Sequence, residues 1–396
     1  MLNGSKIKVG FTKIGSKEWI GGINYFKNLF TALKEYSNIE PVVFLNKNEN
    51  NSDLIKDFTN ISTIVETKTL FNEKSVLNKL NRKTVKFFSR SWFYDKYFEK
   101  HDIKIISHSN FYDEKSILKK INWIPDFQYL HLPEMFTEEE IKVRNYHNRK
   151  MVENSAIIIL SSQDAFNDFK NFAPEHTDKV RILHFVAAPN SQIFINDAEY
   201  KKQILLKYEL PEKFFYIPNQ FWKHKNHKIV FKAVNILKQQ GLDIKVVCTG
   251  NLYDYRSPDH FDNLQNYIQQ NNLYDNIRIL GFVNYNEVLF FMRNCISLIN
   301  PSLFEGWNTM VEEAKSMGKQ IILSDLPVHR EQNPSDATYF NPENSEHLAE
   351  ILKDKWQNSV YGSNFELEKT AKEQLPHRIK EFAQTYEKYV KKLVIS

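Results

Sequence analysis

Short runs of β-favouring apolar residues alternate with helix-patterned stretches along almost the whole 396-residue chain, and this alternation narrows the fold more than any other feature. Lys6–Thr12 (KIKVGFT) reads as a strand. Gly21-Gly22 reads as a loop, after which INYFKNLFTALKEY sets Ile23, Phe26, Leu29, Phe30 and Leu33 on one helical face. Further strands are expected at Pro41–Leu45, Ile103–Ser107, Ala156–Ser161 and Val180–Leu183. Strands joined through helices pair in parallel, and a parallel sheet needs apolar cover on both faces.

The pattern restarts after a polar stretch around Pro189–Tyr200. Strands are expected at Phe214–Pro218, Asp243–Thr249, Asn276–Gly281, Cys295–Asn300 and Gln320–Ser324, with a helix over Asn226–Gln240. The expected class is therefore α/β, with two Rossmann-like halves facing across a cleft. The first covers residues 1–187 and the second 188–375, with a hinge near 187–200. Pro376 is expected to break or kink the helical stretch Glu366–Leu393, leaving a separate final helix over 376–396 that crosses back to the first half.

Composition excludes several classes. Hydrophobic residues make up 42% and charged residues 26%, so the chain is not disordered and can bury a large core. A net charge of +5 is too small and scattered to imply nucleic-acid binding by itself, and no nucleic-acid partner is expected. Cys248 and Cys295 lie in apolar runs and read as buried small hydrophobes in a reducing compartment. No apolar run reaches the length of a membrane span, and the N-terminal residues lack a secretory core. A soluble, cytosolic protein is expected. Glycine is scarce at 11 residues, below the roughly 7% of an average chain, and is spent mostly at strand and helix ends.

Ligands of such sheets bind beyond the carboxyl ends of strands, near helix N-termini. After the run ISLINP comes SLFEGWNTMVEEAKSMGKQIILSD. Gly306 permits close backbone approach, and Thr309 with Glu312 has capping-box spacing, so a helix is expected to begin there. Glu305 then lies at the strand's carboxyl end and Glu313 one turn into the helix. Free N–H groups favour an anion, while ionised carboxylates accept hydrogen bonds from hydroxyls. A phosphorylated sugar meets both conditions. Local chemistry alone leaves Glu305 and Glu313 balanced between ligand contact and solvation; Glu312 reads as a cap.

Glu305 and Glu313 form an E-x7-E pair inside PSLFEGWNTMVEEAKSMGKQIILSD. With the downstream VHREQNPSDATYFNPENSEHLAEIL, this resembles the C-terminal domain of the retaining GT-B glycosyltransferases of family 4 (group 1). The likeness is clear in the second half and looser in the first. It implies that Glu313 binds ribose hydroxyls of a nucleotide-sugar and that Glu305 contacts the transferred sugar. It also implies that backbone N–H groups of Trp307, Asn308 and Thr309 hold the sugar and diphosphate. Many members have Gly-Leu-Pro where this chain has Asn308-Thr309-Met310. The family's diphosphate-binding Lys corresponds to Lys225, with Lys223 as possible support, whereas its Arg five residues earlier is Gln220 here. Gly21-Gly22 resembles the family's N-terminal glycine loop, with Gly22 facing donor phosphates. Gly281-Phe282-Val283 resembles the nucleobase segment, giving Gly281 and Val283 as donor contacts, although Gly250 and Gly281 read equally well as plain strand ends. In the loop INWIPDFQYLHLPEMF, Pro125 takes the place of the family's catalytic-site His, which makes Asp126 the candidate acceptor or sugar contact. Gln128, His131 and Glu134 are weaker neighbours.

Residues 79–100 hold seven Lys or Arg, two acids and several aromatics. A packed amphipathic helix with a solvated face is the simpler reading. The other is contact with an anionic membrane at its inner face, or with a lipid-linked acceptor. No D-x-D-like motif occupies a donor position, so no essential metal or other cofactor is expected. The implied activity is hexosyl transfer from a UDP- or GDP-sugar to a glycan or lipid-linked acceptor in bacterial cell-surface polysaccharide synthesis. The alternatives are a nucleotide-sugar epimerase on the same fold and a non-catalytic sugar-nucleotide-binding protein.

Overall fold

The structure is a computed structural model that describes every residue except 1–5, 13, 15–19, 48, 50, 69, 71–83, 86, 89, 110–114, 190–197 and 396. The expected hinge therefore lies partly outside the described residues, as do Lys83 and Lys86 of the basic segment. The chain divides into two compact units. One comprises Met1–Phe127, Glu138–Ala187 and Pro376–Ser396; the other comprises Gln128–Thr137 and Ala188–Leu375. The short segment Gln128–Thr137, counted with the first half from sequence, thus belongs to the second unit.

Each unit is built on a parallel sheet. The first unit holds β1 (Ile7–Phe11), β2 (Ile39–Asn46), β3 (Thr63–Thr67), β4 (Ile105–Ser107), β5 (Lys119–Ile124), β6 (Ile157–Leu160) and β7 (Val180–Ile182). Their order is β3-β2-β1-β4-β5-β6-β7. The second holds β8 (Phe215–Ile217), β9 (Val246–Cys248), β10 (Ile277–Ile279), β11 (Leu298–Asn300), β12 (Ile321–Ser324) and β13 (Ala337–Phe340), in the order β10-β9-β8-β11-β12-β13. In each sheet the winding direction reverses once, at β1/β4 and at β8/β11.

Period-two side-chain alternation explains why both faces are covered. In the second unit, Phe215, Ile217, Val246 and Cys248 pack with Val230, Phe231 and Val234 of the helix His227–Gln239. The intervening Tyr216 and Val247 pack with Phe291, Val311 and Ala314 on the other side. Both cysteines are buried free thiols. In the first unit Phe11 meets Phe26 and Phe30 edge-on, and Tyr25 stacks on Trp123 at 4.3 Å.

Several elements depart from the sequence reading, three of them near expected site residues or the expected final helix. Gly21 and Gly22 lie in the first turn of the helix Ile20–Tyr36, not in a loop, and Gly22 is buried. Glycine costs about 1 kcal/mol in a helix. The buried Tyr25, Phe26, Leu29 and Phe30 just downstream outweigh that cost. Second, the start of INWIPDF is strand β5, so the loop begins only at Pro125. Third, Pro376 does not end its helix: Phe365–Ile395 runs through it. An internal proline costs about 3 kcal/mol, yet Phe382, Ala383, Tyr386 and Val390 are almost fully buried beyond it. Before it, Arg293 grips Glu368 with two hydrogen bonds, 2.6 and 3.1 Å.

Candidate active site

The reversal between β8 and β11 places the loops after these strands side by side beyond their carboxyl ends, and side chains stitch them together. Residues Lys223–Lys225 form a 3₁₀ turn ending at Asn226, whose φ of 54° is left-handed. Asn226 Nδ2 donates to the carbonyls of Pro301 (3.1 Å) and Pro342 (2.9 Å). The Leu303 N–H donates to the His224 carbonyl at 2.8 Å. Held between these bonds, the Lys225 ammonium lies 2.6 Å from Glu305 Oε1, with the side chains only 14% and 10% exposed. Burial alone would raise the Glu305 carboxyl, but the neighbouring ammonium outweighs it and holds the group below its ordinary value. His329 is fully buried and close enough to feel the Glu305 charge. Its Nδ1 lies 2.8 Å from the Ser324 carbonyl, an acceptor only, so Nδ1 carries the proton.

The helix after β11 spans Thr309–Met317, and its cap is Asn308 rather than the expected Thr309. Asn308 Oδ1 accepts from the N–H groups of Met310 (2.9 Å) and Val311 (3.3 Å). Asparagine is a better N-cap than threonine, and here it sits one residue earlier, which resets the helix start. Glu312 consequently makes no capping box; it accepts from Lys315 (3.3 Å) and Gln332 (3.0 Å). Gln332 also accepts the Asn308 N–H at 3.1 Å, so that amide, expected to hold ligand, is already engaged. Thr309 N–H, at the first helical position, has no protein acceptor among the described residues. Trp307 is half-buried in the preceding turn.

Glu313 is buried, and its Oε1 accepts the Tyr285 phenol at 2.6 Å. Burial raises its carboxyl to about 7, against the pull of that hydrogen bond. Gln220 Oε1 accepts the Asn251 N–H at 2.7 Å, tying together the loops after β8 and β9. Gly281 has φ 69° with open space where a side chain would project, while Val283 is buried and Phe282 is exposed. In the segment Gln128–Thr137, Gln128 accepts from Arg256 at 3.2 Å and His131 lies 5.0 Å from the Phe304 ring. Glu134 is exposed.

In the first unit, Asp126 is half-buried between β5 and the short helix Gln128–His131. At that sheet's reversal, His108 directly follows β4 with φ 53°, its Nε2 3.1 Å from the Tyr25 hydroxyl. Burial lowers its pKa to about 3. Of the basic segment, Phe87, Phe88 and Trp92 are exposed, whereas Phe98 and Asp95 of the helix Trp92–Lys100 are buried and Asp95 pairs with Arg90 at 2.8 Å. Among the described residues no helix is long and apolar enough to cross a membrane.

Lys225, Glu305 and Glu313 were singled out from sequence, and the fold joins the first two directly. Tyr285, Gln332 and His329 were not; they reach the site only through tertiary packing, and no local signal marks them.

Comparison with known proteins points the same way. Residues 197–374, a little under half of the chain, match the family described as glycosyl transferases group 1. The O-antigen chain mannosyltransferase RfbU of Salmonella typhimurium is 25% identical over 142 residues, 36% of this chain and 38% of that protein. An uncharacterized glycosyltransferase of Methanocaldococcus jannaschii, MJ1178, is 24% identical over 208 residues, 52% of this chain and 51% of its own. The chain thus spans about half or less of the length of these curated relatives. The crystal structure of Anabaena Alr3699/HepE in complex with UDP and glucose superposes with a TM-score of 0.69 at 13% identity, covering 98% of this chain and 100% of the other. At that identity the likeness concerns the fold. In sequence the second unit is similar to the glycosyl transferases group 1, and in fold the two parallel-sheet, Rossmann-like units are similar to GT-B glycosyltransferases.

Proposed function

We propose that the chain is a retaining group 1 glycosyltransferase that moves a hexose from a UDP- or GDP-sugar to a glycan or lipid-linked acceptor, in the synthesis of a bacterial cell-surface polysaccharide. The observation that carries this reading is the Lys225–Glu305 pair at the carboxyl ends of β8 and β11, within the region matching the group 1 family. RfbU is named for mannosyl transfer to an O-antigen chain, and HepE holds UDP and glucose, which supports this choice of donor and product.

The diphosphate of the donor carries more negative charge than one carboxylate, so it draws the Lys225 ammonium from Glu305. The Thr309 N–H and the positive end of the helix Thr309–Met317 add to that attraction. Glu305, freed as a carboxylate, accepts hydroxyls of the sugar and faces the positive charge that grows at its anomeric carbon. Glu313 accepts from the ribose. As the bond from the anomeric carbon to phosphate oxygen breaks, the acceptor oxygen attacks on the same face, and its proton passes to the departing phosphate oxygen. Lys225 stabilises the leaving diphosphate, so no step calls for a metal. Asp126 contacts the acceptor or the sugar. The exposed Phe87, Phe88 and Trp92 near Arg90 give a lipid-linked acceptor an apolar and cationic resting place.

Incubation of each labelled nucleotide-sugar with a cell-envelope acceptor extract tests this. Transfer by the wild type, lost on Glu305→Gln, is expected. Isomerised donor formed without any acceptor would show an epimerase instead.

A further inference from the structure

The least explained contact near the site is the one between Tyr285 and Glu313. Tyr285 is the first residue of the helix Tyr285–Asn294. The start of that helix is fixed, because Asn284 accepts the Glu287 N–H while the Glu287 side chain accepts the Asn284 N–H. The residue is 43% exposed, yet its hydroxyl turns inward to Glu313 Oε1 at 2.6 Å.

No ammonium or guanidinium among the described residues pairs with Glu313. From β8 the buried Tyr216 faces it, but that phenol is bonded to Thr249 Oγ1 at 2.6 Å. On its own helix Glu312 is turned to Lys315 and Gln332. The Tyr285 hydroxyl is thus the single hydrogen-bond donor that the described residues supply to this carboxylate.

We propose that Tyr285 is the positioning residue for Glu313: its hydroxyl holds Oε1 in place and leaves Oε2 to accept one ribose hydroxyl of a nucleoside diphosphate. The proposal rests on the nucleotide-sugar reading given above. A carboxylate with both oxygens open would accept a hydroxyl on either; one oxygen held by a phenol fixes the plane and the direction of the other. A phenolic donor also favours the ionised form, which is the form that accepts. This opposes the burial that raises Glu313 to about 7. Nucleotide affinity should then follow the ionisation of Glu313, increasing as the pH rises through that value.

Isothermal titration of UDP and GDP into wild type and Tyr285→Phe across the neutral range tests it. Phenylalanine keeps the partly exposed ring, and an unchanged melting temperature in the absence of nucleotide would show that the fold is kept. In Y285F the midpoint of affinity against pH is expected to move up, lowering affinity about fivefold or more on its acid side, and affinity should stay below that of the wild type at the alkaline limit, where the ionised carboxylate is no longer held in place. Glu313→Gln should flatten the profile. Coincident profiles for wild type and Y285F would overturn the role of Tyr285. Failure of the wild type to bind either nucleotide at any pH would overturn the nucleotide-sugar reading itself, and the proposal with it.

Discussion

The Lys225 ammonium lies 2.6 Å from Glu305 Oε1, joining residues 80 positions apart across the reversal of the second sheet. The pair keeps a cation and an anion together in a nearly enclosed place until something more strongly charged separates them. Removing one partner leaves the other charge buried and uncompensated, at a cost of about 3 kcal/mol or more. Lys225→Met should therefore destabilise the ligand-free protein more than the double variant Lys225→Met/Glu305→Gln. Urea unfolding of both checks this; equal losses would mean the pair is not coupled.

Glycines distinguish local conformation from packing. Gly281 and Gly318 both have positive φ, 69° and 64°, so alanine at either costs about 1–2 kcal/mol for the left-handed backbone. A Cβ on Gly281 meets open space, whereas one on Gly318 would overlap the backbone carbonyl of Leu367. Gly318→Ala should lower the melting temperature clearly further than Gly281→Ala.

Much of the fold was legible because buried parallel strands write themselves as continuous apolar runs, as in IIIL of β6 or IILS of β12, fully buried along their lengths. β3 and β13 were missed for the complementary reason. They are edge strands, and TIVET and ATYF keep mostly half-exposed or exposed positions, so no apolar run announces them. Lys225 and Glu305 were legible as residues just past strand ends. Tyr285 and Gln332 were not, since a tyrosine opening one helix and a glutamine closing another show nothing locally; their partners lie 28 and 24 residues away. Gly21-Gly22 misled because glycine pairs usually punctuate loops, and tertiary packing overrode that local preference.

Acid should weaken both units through buried neutral histidines. Burial lowers His108 and His227 to about 3, while an unfolded histidine protonates near pH 6.5. The unfolded chain therefore binds more protons between these values. Stability is full above about pH 6.5 and falls as the pH drops below it, by up to about 1.4 kcal/mol per pH unit for each residue. His227 stacks on Phe221 at 4.2 Å, so His227→Phe preserves the ring contact. Urea midpoints measured down this acid limb should decline less steeply in that variant than in wild type.

Asn308 satisfies two N–H groups at the mouth of the helix Thr309–Met317. Its replacement by alanine should cost about 1 kcal/mol, typical of a lost cap. The bonds from Gln332 to the Asn308 backbone do not depend on the side chain, so the variant is expected to fold. Thermal unfolding measures the difference, and an unchanged melting temperature would show that the cap carries no weight.

The most direct test of a nucleotide-sugar site beside Lys225, Glu305 and Glu313 is a thermal-shift comparison of UDP-, GDP- and ADP-sugars on wild type and Glu313→Ala. A ligand at a hundred times its dissociation constant stabilises by about 2.7 kcal/mol. At least one donor should therefore raise the wild-type melting temperature by several degrees and leave Glu313→Ala nearly unmoved. No shift with any donor, or equal shifts in both proteins, would contradict the account.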